Sequence, residues 1–157
     1  MFGKSILFFY KAILFGIAAY AIIPRHMFKK YLLYGFIFGA IVDLIVVFAL
    51  HFLDLARYYN MGPFGIYGVI TIWSPIAWMF AFMLFFYFLP ARTAFLIPYV
   101  AGFSIFAYMV GLVLTGLGLF EYIGSYKYYA PIVFSAWFSL ATYVYIKIGN
   151  IKLRPLK

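Results

Sequence analysis

The chain has 157 residues, 69% of them hydrophobic and 10% charged, with a mean hydropathy of +1.08; a soluble domain is about half apolar, so a soluble fold is excluded. The net charge of +9 comes from twelve Lys and Arg spread between apolar runs, which argues against nucleic acid as a partner and makes these residues topology determinants. The absence of cysteine excludes disulfides and thiolate chemistry, and two histidines leave little for haem or metal, so no cofactor is expected.

At about 20 residues per spanning helix, the length accommodates five crossings. Runs bounded by charge, Pro and Gly place the spans near 5–23, 31–55, 66–89, 94–118 and 128–148. This predicts an all-α integral membrane protein, a bundle of five transmembrane helices forming a single domain over residues 1–157. The links are short enough to predict sequential antiparallel packing. In the first span, Ala19–Ala21 resembles a signal-peptidase site. Lys11 interrupts the apolar run before it and Arg25, Lys29 and Lys30 follow, so the segment is expected to be retained as an anchor.

The second span holds FIFGAIVDLIVVFAL, in which Asp43 is the only charge. Lys11 lies thirteen residues before Pro24 and Asp43 twelve after Tyr31. At 1.5 Å per residue both sit ~18–20 Å from the same turn. A lone Asp or Lys near a helix centre costs about 2.5–3.5 kcal/mol on insertion scales, so pairing relieves both, and protonation of the carboxyl is the other escape. Gly35 and Gly39, with Ala12 and Gly16 on the first span, provide small residues for close helix approach. Lys11 and Asp43 are therefore expected to face each other as an intramembrane charge pair. Further along, His51, Asp54 and Arg57 recur at spacing three, which predicts an outer polar cluster to which Glu121 is a candidate fourth member. Asp54 is expected on the same helical face as Asp43, three turns on. His26 accompanies the basic headgroup patch of the PRHMFKK turn.

The third span brings Pro75 between Trp73 and Trp78. A proline there frees the carbonyl of Thr71 and predicts a kink, with an aromatic cleft lined by Trp73, Trp78 and Tyr67. Pro98 and Pro131 fall near the starts of the fourth and fifth spans, where proline is tolerated. The outer links carry many Tyr and Phe, readable as an interfacial belt or as a shallow vestibule with Glu121 and Lys127 for polar contacts.

Arg25, Lys29, Lys30, Arg92, Lys147, Lys152, Arg154 and Lys157 fall on one side, and Lys4, Arg57 and Lys127 on the other. The positive-inside rule therefore predicts an outside N-terminus and a cytoplasmic C-terminus. FIFGAIVDLIVV followed by WSPIAWMFAFMLFFYFLP resembles the central third of a group of small, uncharacterised five-helix membrane proteins of endospore-forming Gram-positive bacteria. The resemblance implies a multi-pass protein of the bacterial cytoplasmic membrane and transfers no catalytic residue.

No GxSxG, HExxH, phosphate-binding glycine loop or second carboxylate near Asp43 supplies catalytic machinery, so no catalytic or metal-binding residue is assigned. The first expectation is a non-enzymatic protein that binds a lipid or isoprenoid, or a membrane partner subunit, through its aromatic outer half. The alternative is a small proton- or ion-coupled carrier or channel using Lys11 and Asp43. The expected partners are membrane lipids and a membrane-protein partner or a second copy of the chain.

Overall fold

The computed structural model describes residues 3–149 and 151, and its secondary structure is mostly helical. A 3₁₀ turn runs into α1 (Ile6–Ile22). The second rod is continuous from Arg25 to Phe52 and consists of α2 (Arg25–Gly35), a π-helical segment (Phe36–Ile41) and α3 (Val42–Phe52). α4 (Trp73–Tyr87), α5 (Thr93–Gly116) and α6 (Tyr126–Ile148) complete the helices. Among the described residues, four helices are long and apolar enough to cross a membrane: Gly3–Ile22, Arg25–Phe52, Thr93–Gly116 and Tyr126–Ile148. In hydrocarbon a helix is the local structure that satisfies every backbone polar group from within, which is why these apolar runs take it. Lys152, Arg154 and Lys157, part of the charge asymmetry, lie outside the described residues.

The second rod starts six residues before the expected boundary. Pro24, extended at φ −57° and ψ 141°, caps it, and RHMFKK contains no further breaker, so the basic turn is itself helical. The rod ends at Phe52 because Asp54 takes a left-handed φ of 59°. The Asp54 N–H then donates to His51 O at 3.1 Å and the Leu55 N–H to Leu50 O at 2.8 Å, a Schellman ending. α5 ends the same way: Gly118 has φ 70°, its N–H donates to Thr115 O at 3.0 Å, and Leu119 donates to Leu114 O at 2.9 Å.

Each Schellman turn leads directly into a strand. β1 (Ala56–Tyr58) and β4 (Phe120–Tyr122) pair antiparallel, with Ala56 opposite Tyr122, Arg57 opposite Glu121 and Tyr58 opposite Phe120. The period-two alternation turns Ala56, Phe120 and Tyr122 inward and Arg57 and Glu121 outward. The links that follow α3 and α5 thus form one ribbon, and the helix-only architecture is corrected on this point. A second hairpin, β2 (Gly65–Ile66) with β3 (Ile70–Thr71), turns through Tyr67 and Gly68, both at positive φ, as a type I′ turn requires.

The third span differs most from its expected range of 66–89. The hairpin occupies its first part, and α4 has only fifteen residues, ~22 Å at 1.5 Å each, against a hydrocarbon thickness of ~30 Å. Pro75 is the third residue of α4, where the N–H it lacks would have had no partner within the helix, so it opens the helix instead of kinking it. α4 packs against α1 and against both α2 and the π segment. Sequential packing of the first two spans is therefore corrected: the third helix stands between them. A β-carbon on Gly39 would strike the Trp78 carbonyl of α4, one on Gly35 would strike Met79, and one on Gly16 would meet Phe80. Both small-residue stripes serve contact with α4.

The core has two parts. Around α4, Phe82 stacks on Phe138 with centroids 4.7 Å apart, and Phe85, Phe86 and Trp137 fill the space between helices. Beneath the ribbon, Phe8, Leu114, Leu119, Phe120, Tyr122 and Tyr126 form a second cluster.

Candidate functional site

Between these two cores lies a small, partly enclosed chamber of about 40 Å³. Asp43 of α3 and Lys11 of α1 both line it, Tyr58, Phe120 and Tyr122 of the ribbon roof it, and Trp78 and Trp137 contribute to its walls. The chamber thus has room for several waters or a small ion.

Asp43 is 2% exposed and sits in the first turn of α3, directly after the π segment. The Trp137 indole donates to the Phe38 carbonyl within that segment at 2.9 Å, pinning the widened turn to α6. π segments are common at functional positions, where the extra residue re-aims the side chains that follow. The Ser74 hydroxyl interacts with the Asp43 carboxylate, and the Tyr58 hydroxyl lies 3.0 Å from Ser74 Oγ. Ser74 has one proton to give. When it donates to the carboxylate, Tyr58 must donate to Ser74, and a chain of two hydroxyls joins the ribbon to Asp43. Ser74 belongs to the first turn of α4, the end at which a helix favours an anion.

Asp43 Oδ2 is buried and has no hydrogen-bond partner, as is the Tyr122 hydroxyl in the roof. Lys11 shares the chamber and interacts electrostatically with Asp43, but the ion pair within 4 Å among the described residues is Arg57–Asp54, not Lys11–Asp43. The Lys11 Nζ lies 5.9 Å from the Phe8 ring centroid. Burial, followed by the neighbouring Asp43 charge, pushes the Tyr58 phenol well above its ordinary value, so Tyr58 acts as a hydrogen-bond donor.

The outer polar residues are only partly gathered. Arg57 Nη2 donates to Asp54 Oδ1 at 2.6 Å, and Arg57 faces Glu121 across the ribbon. The Tyr59 hydroxyl donates to Glu121 Oε2 at 2.9 Å. The Asp54 bond raises the Arg57 guanidinium, and the Glu121 bond raises the Tyr59 phenol. His51 is not drawn into this group: its Nδ1 is buried without a partner, and its ring meets Phe52 edge-on. Asp54 does not continue the Asp43 face, because the helix has ended before it. Among the described residues, no three His, Asp or Glu side chains come together as a metal site.

The single aromatic cleft is also corrected. Trp78 faces the chamber. Trp73 instead packs edge-on against Phe9 and Phe64, at 4.7 and 5.5 Å, and Tyr67 is 91% exposed at a hairpin tip. Residues five apart on a helix point about 140° apart, which separates the two indoles.

Tyr58 and Tyr122, expected only as aromatics of the belt or vestibule, and Ser74, expected only to serve the backbone near Pro75, are functional candidates at the Asp43 chamber. The signal for the ribbon was present: ARY and FEY are two apolar–charged–apolar triplets with opposite charges at their centres, the alternation of a half-buried strand pair. Comparison of the chain with family models, with curated proteins and with solved structures gives no match. The site rests on its own geometry.

Proposed function

We propose that this chain is a non-enzymatic membrane protein that exchanges protons through the Lys11–Asp43 chamber, acting as a small proton-coupled carrier or channel. The observation that carries the reading is a buried carboxylate and a partly buried amine that line one small chamber, with one carboxylate oxygen unpartnered. Ionisable groups inside a membrane bundle commonly mark proton paths. The Tyr58–Ser74–Asp43 chain gives protons a hydrogen-bonded approach from the ribbon, and Lys11 offsets the carboxylate charge when the proton leaves. Ligand binding through the outer aromatics has less support, since Tyr58, Phe120 and Tyr122 are used to pack the roof.

In the proposed topology the chain crosses the bacterial cytoplasmic membrane five times, with α4 as a short central crossing, the ribbon outside and the C-terminus in the cytoplasm. Lys4 supports placing the start of α1 beside the ribbon, because its Nζ donates to Leu117 O at the end of α5. Arg25, Lys29, Lys30, Arg92 and Lys147 mark the other end.

Proteoliposomes carrying an imposed pH gradient and an enclosed pH dye test the function. Wild-type protein should dissipate the gradient faster than empty vesicles, Asp43→Asn should not, and Asp54→Asn should behave as wild type. Equal rates for wild type and Asp43→Asn would overturn the assignment.

A further inference from the structure

A second cavity, distinct from the chamber, opens toward the basic end of the bundle. It is a groove of about 550 Å³ between α1 and α5, floored by Ala81 and Leu84 of α4, with Phe15, Gly102 and Phe106 in its walls. Its wall is apolar even where it contains a hydroxyl, because Tyr99 donates to the Phe85 carbonyl at 2.7 Å. Phe15 and Phe106 meet edge-on at 6.0 Å. The other end of the groove is formed by Ile22, Phe88 and Pro98.

The charges at that end are specific. Arg25 follows Ile22 by three residues, and Arg92 follows Phe88 by four and precedes Pro98 by six. Both arginines are exposed. Guanidinium groups bind phosphate through paired hydrogen bonds, and a cation at an anionic membrane surface attracts the lipid headgroup. Arg25 Nη2 donates to the Tyr20 hydroxyl at 3.3 Å; an apolar groove whose end lies within a few residues of two exposed arginines matches the two halves of one molecule, a tail and a phosphate.

We infer that this groove holds one acyl chain of an anionic phospholipid, with the phosphate of that lipid bound between Arg25 and Arg92. The site stands apart from the proton chamber and does not depend on it. Gly102 sets the depth of the groove, since a β-carbon there would meet nothing within 4 Å. A larger side chain at this position is expected to occupy the groove.

Native mass spectrometry of the full chain, released from detergent containing phosphatidylglycerol or phosphatidylcholine of identical acyl chains, tests the site. Phosphatidylglycerol should be retained about thirtyfold more than phosphatidylcholine, as two surface cations at about 1 kcal/mol each warrant. Arg25→Gln with Arg92→Gln should remove the preference. Gly102→Leu should remove retention of both lipids, and phosphatidylglycerol with six-carbon chains should be lost from the unaltered protein. Equal retention of the two headgroups, an unchanged preference in the arginine variant, or equal retention of short- and long-chain lipid would each overturn the inference. The short-chain comparison needs no substitution and so does not depend on a variant folding.

Discussion

Asp43 is held by neighbours that sequence spacing revealed only in part. The common depth of Lys11 and Asp43 was legible because both distances count from one proline-marked turn. The roles of Ser74 and Tyr58 were not, since they depend on α4 entering between the first two spans and on a strand closing over the end. Neutralising either of two opposite charges that share a chamber leaves the other without its compensating field. Asp43→Asn and Lys11→Met should each lower the melting temperature in detergent, and the double variant should recover part of the loss; strictly additive losses would mean that the two groups are energetically independent. Tyr58→Phe removes the donor to Ser74 and should cost about 1 kcal/mol, the net contribution of one hydrogen bond. Arg57→Ala, at an exposed pair with Asp54, should leave the melting temperature nearly unchanged.

At the scale of elements, the long apolar runs announced themselves, and the fourth and fifth spans begin and end within two residues of expectation. The third differs because hydropathy does not distinguish a membrane helix from a half-buried hairpin leading into a short central helix. VITIW is as apolar as any span yet β-branched, and the Tyr67–Gly68 turn before it was the sign of a hairpin. The GxxxG was legible as a close-approach motif, but not its partner: Gly39 meets the backbone of α4. Gly39→Leu should therefore destabilise the fold by about 1–3 kcal/mol through overpacking against a carbonyl that has no rotamer to change. Gly102→Ala, with open space at its β-carbon, should be neutral or stabilising by up to about 1 kcal/mol. Thermal unfolding of the two variants side by side measures the contrast.

For the whole molecule, the described charges separate by end: Lys4, Arg57 and Lys127 lie with the ribbon, and Arg25, Lys29, Lys30, Arg92 and Lys147 lie opposite. Single cysteines at the exposed Ser125 and Ala91 report on orientation, since the chain has no native thiol. An impermeant maleimide applied outside intact cells should label the Ser125→Cys variant and spare Ala91→Cys, and the reverse pattern would invert the topology. The central claim is that Asp43 itself gains and loses a proton in the roofed chamber. Infrared difference spectroscopy of the lipid-reconstituted protein across a pH titration measures this directly through the carbonyl stretch of a protonated carboxyl. The expected result is a pH-dependent carboxyl band that disappears in Asp43→Asn and persists in both Asp54→Asn and Glu121→Gln. A band that survives in Asp43→Asn and is lost with Asp54 or Glu121 would contradict the claim.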